Sequence, residues 1–141
     1  MTRLHSPLFN WPVRVYWEDT DAGGIVYYAN YLKFFERART EWLRSLGISQ
    51  HALSQSQGGM FVVSQAELRY LSPARLDDEL NVSTQRVALG RASLSILQQV
   101  SKINCSGPNT VLCEGTIRVG WMAEANFKLA RIPPTVMEVL K

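Results

Sequence analysis

Across residues 29–46 the apolar side chains Tyr31, Phe34, Phe35, Ala38, Trp42 and Leu46 are spaced by three, one, four, four and four. Those intervals put them on one face of a helix. Lys33, Arg37, Thr40, Glu41 and Arg44 fall mostly elsewhere; Arg37 and Glu41 can pair one turn apart, which adds little. Gly47 is placed to end the helix at its C′ position. At 1.5 Å per residue, 18 residues make a rod about 27 Å long. A face this broad and aromatic must be covered, and the cover has to come from the rest of the chain.

The rest of the chain reads as strands. Residues 13–17 (Val-Arg-Val-Tyr-Trp) alternate before the helix, and residues 61–71, 79–88, 91–103 and 110–121 follow it. In the last of these, Val111, Cys113, Ile117, Val119 and Trp121 alternate with Leu112, Glu114, Thr116, Arg118 and Gly120. Gly115 interrupts the apolar side, the mark of a bulge or of a close backbone approach. Gly90 and the run Ser106-Gly107-Pro108-Asn109 join successive strands as hairpins, which makes the sheet antiparallel. A short helix is predicted over 133–140. One helix followed by a run of strands is an α+β order. The expected architecture is a single hotdog domain over residues 1–141, a long central helix wrapped by a curved antiparallel sheet of about five strands.

Composition narrows the function. No apolar run approaches the ~20 residues that span a bilayer. The N-terminal stretch has no long apolar core after Arg3, so it does not read as a signal peptide, and the expected location is the cytoplasm. The net charge of +3 is compatible with an anionic ligand. The basic residues are scattered, which speaks against nucleic acid. Cys105 and Cys113, with only His5 and His51 to join them, do not make a metal site, and they read as one loop thiol and one strand thiol.

The segment between the first strand and the helix carries the chemistry. It runs Glu18-Asp19-Thr20-Asp21-Ala22-Gly23-Gly24-Ile25-Val26-Tyr27-Tyr28. Unpaired N–H groups at a helix start can hold a carbonyl oxygen that becomes negative in acyl transfer. A carboxylate nearby can attack that carbonyl or take a proton from water. Gly23 and Gly24 let the chain turn and a substrate approach the backbone. An EF-hand beginning at Asp19 fails, because Asn30 stands where a bidentate Glu is needed. A DxDxT phosphatase loop would need Thr in place of Gly23. On spacing alone, such a segment is more often a helix-capping turn than a catalytic loop.

The run from Tyr16 to Tyr31, continuing through Phe35-Glu36-Arg37-Ala38-Arg39-Thr40-Glu41, resembles the Tol–Pal-associated, YbgC-like acyl-CoA thioesterases of the wider 4-hydroxybenzoyl-CoA thioesterase family. The stretch from Arg69 to Leu80, with Tyr70, Pro73, Asp77 and Asp78, matches the same group, and the resemblance covers about residues 13–134. It implies an enzyme that hydrolyses acyl-CoA without a cofactor or metal. The family's catalytic aspartate falls on Asp21, as nucleophile or general base. Asp19 matches an accompanying acid with no attacking role. The backbone oxyanion donor falls on Tyr28, where many YbgC-like sequences carry His; a backbone donor survives that change and an imidazole role does not. Asn30 and Tyr31 match the benzoyl-CoA branch. Gly24 and Arg91 are the implied substrate-binding positions, Arg91 for the coenzyme A phosphates.

The resemblance also implies a homo-oligomer, a dimer or a dimer of dimers, with possible cell-envelope or lipid-synthesis partners. Leu112 and Trp121 suggest more apolar strand surface than one helix covers. The competing readings are a non-catalytic acyl-CoA-binding or complex-partner module, which the presence of Asp21 disfavours, and a dehydratase, which normally needs a His in this loop or helix. Arg69, Arg75 and Arg86 are expected to be solvated charges, His51 a surface residue, and Glu36 engaged by a neighbour or by solvent.

Overall fold

The computed structural model describes residues 5–141; Arg3 lies outside them. The strands are β1 (Phe9–Arg14), β2 (Gly59–Tyr70), β3 (Glu79–Leu89), β4 (Ser93–Lys102), β5 (Thr110–Ala123) and the two-residue β6 (Lys128–Leu129). The helices are α1 (Asn30–Ser45), α2 (Gln50–Gln57) and α3 (Pro134–Leu140). All strand pairings are antiparallel, in the order β1-β3-β4-β5-β2, with β6 beside β5. The expected α+β layout, one long helix on an antiparallel sheet, is the observed one.

The core lies between α1 and the sheet. Tyr31, Phe34, Phe35, Ala38, Trp42 and Leu43 are buried on the helix, facing Val82, Ile96, Val100 and Ile117 of the strands. Gly115 marks a close approach: a Cβ there would lie 2.8 Å from Phe35 Cε2. The bulges lie elsewhere, between Val63 and Gln65, Arg86 and Ala88, and Val100 and Ser101. One polar group is sunk into this core. Gln98 donates from Nε2 to the Phe35 carbonyl at 3.0 Å and to Thr84 Oγ1 at 2.8 Å, while its Oε1 accepts from Arg39 at 3.0 Å. With its amide satisfied at both ends, Gln98 is tolerated at zero exposure. Gly47 ends α1 as expected, with φ +84° and the Ile48 N–H returning to Leu43 O.

Several expectations need correcting. The first strand starts earlier and stops at Arg14, and Trp17–Asp19 forms a 3-10 turn. Pro12 hid the strand start; it is tolerated because β1 pairs on one side only. Helix α2 was not foreseen, since only Leu53 in its polar sequence is buried, and Ser49 caps it by accepting from the Ala52 N–H. Glu41 pairs with Arg44 at 2.7 Å rather than with Arg37. Arg86 is buried, not solvated, because the segment before β1 folds over it: Ser6 N donates to Arg86 O, and Arg86 N to Ser6 Oγ. Leu112 and Trp121 are each 3% exposed, so they give no surplus surface. The large apolar strand side chains left open among the described residues are Val63, Leu97 and Leu129, together with Tyr70 at the end of β2.

Candidate active site

The acidic loop is a closed turn whose two aspartates do different work. Thr20 pairs with Val26, the Asp21 N–H donates to Ile25 O at 3.0 Å, and the Gly24 N–H donates to Asp21 O at 3.1 Å. Asp19 is 5% exposed; its Oδ2 accepts the Tyr16 N–H at 2.8 Å, and its carbonyl takes both Tyr27 N–H and Asn30 Nδ2. Asp19 therefore staples the loop to the start of α1. Asp21 is exposed, with Oδ1 accepting the Gly23 N–H at 2.8 Å. Its other oxygen takes no hydrogen bond among the described residues, which leaves it available to a substrate or a water. A Cβ at Gly23 would press on Asp21 Oδ1 at 3.3 Å. Gly24 has φ +76° with open space above it, the conformation and clearance a ligand needs to lie on the backbone.

Beside this turn is an open cleft of about 320 Å³, walled by Ile25, Tyr28, Tyr31, Tyr70, Leu71 and Pro73. The backbone of Asp21 is tied to one wall of the cleft, its N–H donating to Ile25 O. The rings are packed edge to face: Tyr28 to Tyr70 at 6.1 Å and Tyr31 to Tyr70 at 5.6 Å between centroids. The Tyr31 hydroxyl accepts the Ala74 N–H at 3.0 Å, and burial raises its phenol above the usual tyrosine range.

The start of α1 has the donors that acyl transfer requires. The Tyr27 N–H is taken by Asp19 O and the Asn30 N–H by Tyr27 O. No acceptor among the described residues takes the N–H of Tyr28 or of Ala29. Asp21, Gly24 and Tyr28 thus lie in one hydrogen-bonded turn that leads into α1.

Arg91 is not brought to them. It lies in the β3–β4 turn, whereas the loop contacts the opposite end of β3 through Val15, Asp77 and Asp78. Ten residue steps along β3 amount to about 33 Å. Of the other charges, Arg69 is exposed and paired with Glu114 at 3.7 Å, Glu36 accepts from Thr40 Oγ1 at 3.2 Å, and His51 is exposed. Sequence reasoning missed the places of Tyr70 and Asn30. The available signal was Ser72-Pro73, which stops β2 and leaves its last residues against the helix start.

A family model described as the thioesterase-like superfamily matches residues 15–140. The chain is 40% identical over 138 residues to the acyl-CoA thioester hydrolase YbgC of Escherichia coli O6:H1, covering 98% of this chain and 99% of that one. It is 41% identical to the acyl-CoA thioesterase YbgC of Haemophilus influenzae, covering 91% and 90%. Among solved structures, a probable thioesterase from Bartonella henselae superposes with a TM-score of 0.80 at 31% identity, covering 90% of this chain and all of that one. The 4-hydroxybenzoyl-CoA thioesterase of Pseudomonas sp. strain CBS-3 superposes with a TM-score of 0.85 at 17% identity, covering 95% and 99%, which shows a shared fold. The extent of the family match, together with two near-full-length relatives at 40% identity or more, makes this chain a member of the thioesterase-like superfamily.

Proposed function

We propose that the chain hydrolyses acyl-CoA thioesters to a free acid and coenzyme A in the cleft beside the start of α1. The observation that supports this reading is an exposed carboxylate, Asp21, in a turn hydrogen-bonded to one wall of the cleft, together with an unclaimed amide, the Tyr28 N–H, of another residue that lines it. The thioester oxygen accepts from the Tyr28 N–H, and charge building on it is met by the N-terminal end of the helix. Asp21 either attacks the carbonyl carbon, expelling the thiolate to leave a mixed anhydride that water opens, or takes the proton of the attacking water. Both routes end in carboxylic acid and free thiol. No cofactor is required by either.

Arg91 serves the phosphates of coenzyme A, and its distance from Asp21 within one chain favours a site completed by a second protomer. The outer edge of β2, which pairs with no further strand among the described residues, suits such an assembly. The working unit is then a dimer or a dimer of dimers. The resemblance to Tol–Pal-associated enzymes supports action in the cytoplasm and partners in the cell envelope or lipid synthesis. Among the described residues no helix is long and apolar enough to cross a membrane. The test is Asp21→Asn, read as free thiol released from acyl-CoA. Loss of the acid should lower turnover about 10²–10⁴-fold with the unfolding transition unchanged. Near-normal turnover by the folded variant would refute the assignment.

A further inference from the structure

We propose that the Tyr70 hydroxyl is a positioning group for this reaction: by holding the carbonyl of Tyr28, it strengthens the amide of Ala29 as a second donor to the thioester oxygen. The inference rests on the hydrolytic reading above and adds to it a residue on β2.

Two consecutive peptide units meet at the start of α1. In the first, the carbonyl of Tyr27 accepts the Asn30 N–H at 2.8 Å, and the N–H at the other end, that of Tyr28, is unclaimed among the described residues. In the second, the carbonyl of Tyr28 accepts the Tyr70 hydroxyl at 3.1 Å, and the N–H at the other end, that of Ala29, is likewise unclaimed. Carbonyl and N–H of one peptide share a conjugated, planar group. A hydrogen bond accepted by the oxygen draws charge from the nitrogen and makes its N–H a better donor, by about 10–30% per bond. It also fixes the plane, so the N–H has no freedom to swing away. Ala29 already has helical dihedrals, φ −70° and ψ −20°, so its N–H points out of the helix start with the other first-turn amides.

Tyr70 is suited to this task and Tyr31 is not. The Tyr31 hydroxyl is placed at Ala74, whose N–H it accepts, whereas the Tyr70 hydroxyl donates to Tyr28 O. The ring is held independently, by its edge contacts with Tyr28 and Tyr31. Ring and hydroxyl can therefore be separated by mutation.

Tyr70→Phe keeps the ring and removes only the donor. We expect kcat on acyl-CoA to fall about two- to eightfold, because a donor whose complete loss costs about 10²–10³ is weakened by about 10–30%, with KM unchanged. The ¹⁵N resonance of Ala29 should move, because its own peptide has lost the bond; a residue that merely packs would leave it in place. An unchanged kcat, or a change confined to KM, overturns the inference. Should Tyr70→Phe not fold, 3-fluorotyrosine at position 70 supplies a more acidic hydroxyl and should raise kcat; no rise overturns the inference equally. Asp21→Asn, assayed alongside, separates the two levels. An active Asp21→Asn protein sinks the hydrolytic reading itself, whereas an inactive one beside an unaltered Tyr70→Phe protein sinks only the role of Tyr70.

Discussion

Replacing Gly115 by alanine tests how tightly α1 is seated, and the direction of the effect is diagnostic. In an open strand position, Gly→Ala relieves conformational entropy and stabilises by roughly 0.5–1 kcal/mol. Here the new Cβ would lie 2.8, 3.2 and 3.4 Å from Cε2, Cζ and Cδ2 of Phe35. Carbon atoms rest about 3.5–4.0 Å apart, so something must move by about an ångström. Phe35 is fully buried, and its carbonyl is held by Gln98 at 3.0 Å, so neither ring nor helix has a free direction of retreat. Overpacking of this kind destabilises by about 1–3 kcal/mol. With an unfolding entropy of ~2.1 cal/mol/K per residue over 141 residues, the expected fall in Tm is about 3–10 °C. Thermal unfolding at one fixed protomer concentration measures it. Phe35→Leu should then partly rescue Gly115→Ala, with a coupling of about 1 kcal/mol in the double-mutant cycle. An unchanged or raised Tm, with additive effects, would refute the close-approach argument.

Arg91→Ala should raise KM for acyl-CoA more than for an acyl thioester lacking the nucleotide; equal effects on both would count against a phosphate contact. If Arg91 and Asp21 meet across protomers, mixing inactive Asp21→Asn with Arg91→Ala should restore about a quarter of wild-type activity at limiting acyl-CoA, from the one intact site in each mixed dimer. No gain over the sum of the separate proteins would exclude that arrangement. Gly24→Ala should destabilise by about 1–2 kcal/mol through its positive φ alone, since its Cβ would meet nothing within 4 Å; a denaturant midpoint identical to wild type would show that the turn relaxes. A thiol reagent at pH 8 should modify only Cys105 in the native protein and both cysteines in denaturant. Cys113 is fully buried, and burial pushes its thiol up to about 12; native labelling of two thiols would contradict this.

Much of the molecule was legible along the chain because its signals are local. The aromatic stripe of α1, the Gly47 stop, the strand alternation and the two hairpin turns each depend on residues within a few positions of one another, and together they gave the α+β layout. The same holds for the loop: Asp21, the paired glycines and the helix start are consecutive, so their conjunction survives without knowledge of the fold. What distance in sequence separates could not be read that way. Asp19 and Asp21 are two residues apart with the same chemistry, yet one is buried as a staple and the other exposed in the turn. Arg86 looks like any strand arginine until the segment before β1 folds over it. Gly115 announced an irregularity, and only the packing of Phe35 showed which kind. Arg91 and Asp21 belong to one motif set in sequence but lie at opposite ends of β3, a separation set by strand length. Tyr70 reaches the Tyr28 carbonyl from 42 residues away. Sequence determined which groups exist and which secondary structures carry them; the tertiary fold decided which of those groups are desolvated, which are paired and which share a cleft, because these properties depend on neighbours that the linear order does not contain.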